Sequence, residues 1–269
     1  MYSIHDAYFG REDMRMFLAS AIAGAALILP SAAAAHDFFL LPEQFVASGE
    51  KGVVLSATVG SSFPVPENAV PADRIERIVA AGAGNPQVHI TGAGPKALNL
   101  HVAGAGTGLL VVGGAAKPRE VDYAEDRIPL ILGEYRVLPK AAAAVDALPK
   151  PRTWQVLSRR FAKTFVCVRS CRVRSAAERS FGAHLEFVGH RLSRDRFRLL
   201  TSGKPLANYP IDLVDADGKR RHLKTDARGE VHLPADARGM LMLFAAKLEP
   251  PVGQARFTLD LTSLTFSRT

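Results

Sequence analysis

Gln87-Val88-His89-Ile90-Thr91 and Asn99-Leu100-His101-Val102 alternate aliphatic and polar residues, with Gly92-Ala93-Gly94-Pro95-Lys96 between them. A period of two sends successive side chains to opposite faces of a sheet, so the aliphatic residues share one face and both histidines the other. A hairpin centred on Pro95 sets position 89 opposite position 101, with Cβ atoms about 5 Å apart. Two imidazoles at that separation are able to share a metal ion. A slip of one residue leaves two unrelated surface histidines instead.

Outward from this hairpin, short β-type runs alternate with Gly and Pro punctuation: Val53 to Val59, Leu109 to Val112, Ile211 to Val214, Glu230 to Leu233, Met240 to Ala246 and Arg256 to Phe266. The spacing predicts an all-β protein of two Ig-like β-sandwich domains, one over 36–120 and one over 161–269. Residues 121–160 read as a partly helical linker, with Leu, Ala and Glu replacing the β pattern and a short helix over Ala141 to Leu148 stopped before Pro149-Lys150-Pro151. Asp215-Ala216-Asp217-Gly218 and Thr225-Asp226-Ala227-Arg228-Gly229 read as hairpin turns.

Ahead of the β region, Met16 to Leu29 is apolar and ends at Pro30-Ser31 and an alanine tract. It is shorter than the roughly 20 residues of a membrane span and reads as the core of a signal peptide over 1–35, with Met14 a better start than Met1. Export to the periplasm is the expectation, with a buried helix or an uncleaved anchor as the alternative. Cleavage after Ala35 makes His36 the first mature residue. Its amine (about 7.7 to 8) and its imidazole (about 6.5) are both able to be neutral near pH 7, so one residue offers two nitrogens to nickel, copper or zinc.

The mature chain carries a formal charge of +9 over 234 residues. Much of it is local: residues 159–198 hold eleven Arg or Lys against Glu178, Glu186 and Asp195. Such a segment is either a solvated face or a docking surface for an anionic membrane or a membrane transporter. Nucleic acid is not expected, because no aromatic residues interleave these arginines as a stacking pattern requires. Cys167 and Cys171 are too far apart in a straight strand to bond; a turn at Arg169-Ser170 closes them into a loop disulfide, with a thiolate metal site as the alternative.

Among the other histidines, His222 and His232 flank the second turn, and His184 and His190 bracket Leu185-Glu186-Phe187-Val188. Neither pair has a link to the mature terminus. No nucleophile elbow, phosphate-cradling glycine loop or His-Glu-x-x-His is present, so the sequence gives no reason to expect an enzyme.

Ala35-His36-Asp37-Phe38-Phe39-Leu40-Leu41-Pro42, Gly60-Ser61-Ser62-Phe63-Pro64, Arg74-Ile75, Phe161-Ala162-Lys163-Thr164, His184-Leu185-Glu186-Phe187-Val188, Gly203-Lys204-Pro205-Leu206 and Thr225-Asp226-Ala227-Arg228-Gly229 follow one another in this order. The chain thereby resembles a periplasmic family of unknown function whose members are often described as the periplasmic component of nickel or cobalt uptake. The last motif is also similar to carboxypeptidase-regulatory-like modules. The resemblance implies a secreted β protein that handles divalent metal and whose mature chain starts at histidine. The chain departs from the pattern at Tyr135 to Lys140 and at Cys167 and Cys171.

The expectation is a periplasmic protein that binds or delivers nickel, cobalt or copper through His36, with Asp37, His89 and His101 as further candidate ligands. The alternatives are a structural or ligand-binding sandwich that contacts a cell-envelope partner without metal, and a copper oxidase with an N-terminal histidine brace.

Overall fold

The computed structural model describes residues 37–252 and 256–268; the leader and His36 lie outside them. In chain order the first half contains β1 (Asp37–Pro42), β2 (Val46–Ala47), β3 (Val53–Gly60), β4 (Asn68–Ala69), β5 (Ile75–Ala81), β6 (Gly84–Ala93), β7 (Leu98–Ala105) and β8 (Gly108–Ala124). Helices α1 (Ile128–Glu134) and α2 (Pro139–Asp146) follow. The second half contains β9 (Thr153–Val168), β10 (Leu185–His190), β11 (Ser193–Thr201), β12 (Lys204–Pro205), β13 (Pro210–Asp215), β14 (Arg220–Lys224), β15 (Glu230–His232), β16 (Gly239–Glu249) and β17 (Phe257–Arg268).

These strands make three sheets. An eight-stranded sheet runs β14-β13-β16-β17-β9-β8-β5, with β2 also on β9; a five-stranded sheet runs β1-β3-β7-β6, with β4 on β3; a four-stranded sheet runs β10-β11-β12, with β15 on β11. Alternation along β9 explains the layering. Phe165 packs with Phe187, Leu199 and Leu213 toward the four-stranded sheet. Ala162, Val166 and Val168 pack with Leu40, Leu55 and Leu100 toward the five-stranded one. Trp154 and Val156 pack beneath Ile128, Ile131 and Val145 of the two helices. Burial on both faces gives β9 the near-continuous apolar character of a central strand.

The all-β class, the sandwich packing and the partly helical connection are as the sequence predicts. The arrangement differs in that both sandwich layers share the eight-stranded sheet, and the described residues form one compact unit. The reason is β9, which pairs antiparallel with β8 and parallel with β17, so that strands from both halves are hydrogen-bonded to it. The linker is shorter than 121–160 as a result: β8 runs to Ala124 and β9 begins at Thr153. The second predicted hairpin is also absent. Asp226 accepts from the amides of Arg228 and Glu230 in a tight turn, but β14 and β15 belong to different sheets.

Strand β1 seats the start of the described chain on the central sheet. Beyond its pairing with β3, Ser263 Oγ donates to Phe38 O and Thr265 Oγ1 to Leu40 O, both at 2.6 Å. Buried hydroxyls on β17 thus satisfy carbonyls that pairing with β3 leaves open.

Candidate functional site

At the beginning of β1 the Asp37 carboxylate is buried, with 4% of its side chain exposed, and forms an ion pair with Arg220 of β14. The other arm of Arg220 reaches Asp212 of β13, equally buried, at 3.4 Å. Asp212 also accepts from Arg136 Nη1 at 2.9 Å and contacts His222 Nδ1 at 2.8 Å. Strand geometry dictates much of this: Asp212 and His222 are directly opposed in the β13–β14 ladder, and Arg220, two residues before His222, shares its face. Arg136 follows α1, and its Nη1 also donates to Ile211 O at 3.0 Å. The Arg220 guanidinium lies 5.4 Å from the centroid of the Phe244 ring.

Burial pushes the Asp37 carboxyl up to about 6, against the opposing pull of Arg220. Arg220 itself is raised: its own burial works against this, but the charges of Asp37 and then Asp212 outweigh it. An arginine stays protonated at any working pH, so the carboxyl is the member of the pair that titrates. The folded state holds the Asp37 proton more tightly than the unfolded chain. Its contribution to stability is therefore complete below about pH 4 and lost as pH rises through about 6. Denaturant unfolding should show wild type gaining up to about 2 kcal/mol on Asp37→Asn when pH falls from about 7.5 to about 4.5. A loss over that interval would reverse the assignment.

The contact of Nδ1 with Asp212 leaves Nε2 as the ring nitrogen available to a ligand. This carboxylate–histidine arrangement is the one that orients metal-ligating imidazoles. The His222 side chain is 62% exposed. Nothing in the sequence links His222 to the mature terminus. The ion pair from Asp37 to Arg220 spans 183 residues of sequence, and no local pattern reports it.

The predicted pairing of His89 with His101 across β6 and β7 holds, although a bulge between Ile90 and Gly92 moves the turn off Pro95, so that Ala93 pairs with Leu98. His101 Nε2 donates to Lys51 O at 2.8 Å. Gly52, at φ +76°, leaves room for the ring, since a Cβ there would lie 2.4 Å from Nε2. This pair does not join the start of β1. Asp37 pairs with Gly60 of β3, whereas His101 pairs with Val54, six residues away along the same strand, or about 20 Å. The expected ligand set of Asp37 with His89 and His101 is therefore not built around one ion, and the Asp37 carboxylate is committed to Arg220. Among the described residues, no group of three or more His, Cys, Asp or Glu side chains is arranged to hold a metal.

Cys167 and Cys171 form the expected disulfide, with Cα atoms 5.1 Å apart; Arg169, at φ +57°, makes the turn. The basic segment 159–198 is not one solvated face. Lys163 is buried against Glu186, Arg159 makes a two-pronged pair with Asp260 at 2.6 and 2.8 Å, and Arg198 pairs with Glu230 at 2.5 Å. An open cavity of about 520 Å³ lies beside Arg159, lined also by Arg77, Phe161, His184 and Asp260. Of the arginines lining it, Arg159 is already paired with Asp260.

The fold and this charged cluster define a layered β-sandwich protein whose first described strand is locked by a buried ion pair. The chain belongs to the family described as Domain of unknown function (DUF4198), which matches residues 33–248. No curated protein matches it. Among solved structures, the "D0-D1 domain of Intimin" is similar over 85% of this chain and 97% of that one, at 12% identity and a TM-score of 0.22, too slight a likeness to carry an argument.

Proposed function

We propose that this is a periplasmic protein that binds or delivers a divalent transition metal, with His36 as the exposed mature terminus and His222 as a further ligand. The observation that carries the reading is the contact chain Asp37–Arg220–Asp212–His222. Residue 36 is covalently next to Asp37, and the anchored carboxylate holds the start of β1 against the strand that bears an oriented imidazole. An amine, its own imidazole and one carboxylate-supported imidazole form a nitrogen-rich set of the kind that copper and nickel favour. The family resemblance to nickel and cobalt uptake components, and the likeness of the C-terminal half to carboxypeptidase-regulatory-like modules, point toward delivery to a partner in the cell envelope. No catalytic step is proposed. His89 and His101 supply two donors at a separate place and are the weaker candidate.

Calorimetric titration of Ni²⁺, Co²⁺ and Cu²⁺ into protein beginning at His36 tests this reading. The comparison set is His36→Ala, a form with one extra N-terminal residue, His222→Ala and His101→Ala. The first two should lose tight binding, His222→Ala should weaken it at least about ten-fold, and His101→Ala should leave it unchanged. Equal affinity in all forms would reject a terminal site, and absence of binding in all would favour the metal-free sandwich.

A further inference from the structure

Two loops meet at the end of β9 to form a cationic tip with apolar points. The first, 169–174, leaves β9 through the Cys167–Cys171 disulfide and is tied back by Leu109 N donating to Val173 O at 2.8 Å. The second is the β10–β11 turn at Arg191 and Leu192. Arg174 Nη2 reaches Ser193 O at 3.5 Å, and a hollow of about 100 Å³ lined by Val46, Cys171, Arg174, Arg194 and Arg268 joins the loops. Leu192 is 82% exposed, Val46 59% and Val173 55%. Arg169, Arg172, Arg191 and Arg194, on the same two loops or next to them in sequence, are also exposed.

None of these four arginines has an ion pair among the described residues. The adjacent acids make other contacts: Glu178 accepts from the backbone amide of Arg191, and Asp195 is held by Ser193 Oγ and lies 3.8 Å from Arg268. Burial lowers the Arg174 pKa, and the charge of Arg194 lowers it further, as close packing of cations without a counter-charge requires. A protein partner would call for large anchors that fill pockets, usually aromatic ones. The tip has instead exposed aliphatic side chains and four exposed arginines on adjoining segments, a pattern that matches anionic headgroups above an apolar layer.

We infer that this tip docks the protein on anionic phospholipid, with arginines on the headgroup phosphates and Leu192 and Val173 entering the headgroup–acyl boundary. The inference narrows the expected basic docking segment to residues 169–194 and is independent of the metal reading. The Cys167–Cys171 disulfide and the Leu109–Val173 hydrogen bond fix the first loop.

Sedimentation of the mature protein with vesicles tests it, comparing phosphatidylglycerol mixed with phosphatidylcholine against phosphatidylcholine alone. Wild type should sediment with the anionic vesicles only, and less so as salt rises. Arg172→Gln and Arg191→Gln should each weaken partitioning about five-fold. Leu192→Ser should weaken it several-fold without altering the unfolding transition. Equal partitioning onto neutral vesicles, no binding to anionic ones at low salt, or wild-type binding by the arginine variants would each overturn the inference. Adding or removing metal should leave every result unchanged, which separates failure here from failure of the metal reading.

Discussion

Lys163→Met is expected to lower the stability of the protein by about 3–5 kcal/mol, as removal of one partner from a buried ion pair does elsewhere. Lys163 is fully buried and Glu186 almost so. The ammonium spends its three protons on Glu186, on Phe187 O at 2.9 Å and on Arg179 O at 3.0 Å, which is every donor it has. The Phe181 ring centroid lies 5.0 Å from Nζ and that of Phe161 5.9 Å, so aromatic faces line the rest of the charge. Burial lowers the lysine pKa, and Glu186 restores part of it. Removing the lysine leaves a carboxylate in the core with Ser180 Oγ and the Phe181 amide as donors, each at 2.7 Å.

The double variant Lys163→Met/Glu186→Leu should recover most of that loss, because the desolvation cost of both charges disappears together. Denaturant midpoints at constant m-value measure both effects. A single variant within about 1 kcal/mol of wild type would mean that water or a rearranged side chain reaches Glu186. The two residues fall in Phe161-Ala162-Lys163-Thr164 and His184-Leu185-Glu186-Phe187-Val188, two of the stretches that carry the family resemblance. Their meeting gives these stretches a structural role, that of riveting the four-stranded sheet to the central one.

Asp212→Ala is the second large effect, about 2–4 kcal/mol, reduced from the fully buried case because Arg136 and Arg220 are partly exposed. One carboxylate there answers Arg136, Arg220 and His222. Its loss leaves Arg220 with Asp37 alone and frees the His222 ring to turn. Under the metal proposal the same change should lower affinity about 10–100-fold, the usual effect of losing the carboxylate behind a ligating imidazole. Asp212→Asn, which keeps an acceptor oxygen, should cost less on both counts. Chemical unfolding and metal titration of the two variants give independent readouts. An Asp212→Ala protein of unchanged stability would show that the cluster does not lock β1.

Local chemistry accounts for what was legible beforehand. The opposition of His89 and His101 followed from alternation, while the bulge between Ile90 and Gly92 that moves the turn off Pro95 has no signal in it; the disulfide followed from a four-residue separation that only a turn closes. The Asp215 to Gly218 turn followed from an aspartate whose Oδ1 accepts from the amides of Asp217 and Lys219 at 3.1 and 3.0 Å. Residues 153–160 read as linker in the sequence because Leu, Ala and Glu replace the β pattern upstream and prolines divide the interval. Yet Trp154, Val156 and Ser158 alternate inward, a pattern strong enough to have marked the strand. Lys163 carried a similar signal, since a period of two places it on the same face as Phe161 and Phe165.

The sequence by itself determined the β class, many of the strands and turns, and the opposition of His89 and His101, because each depends on neighbours a few residues apart. Tertiary structure alone decided which charges meet: Asp37 with Arg220, Lys163 with Glu186, and β9 beside β17 across 101 residues. A buried charge is tolerable only opposite its partner, and where that partner lies is fixed by sheet order and layer packing, which no local stretch of chain encodes.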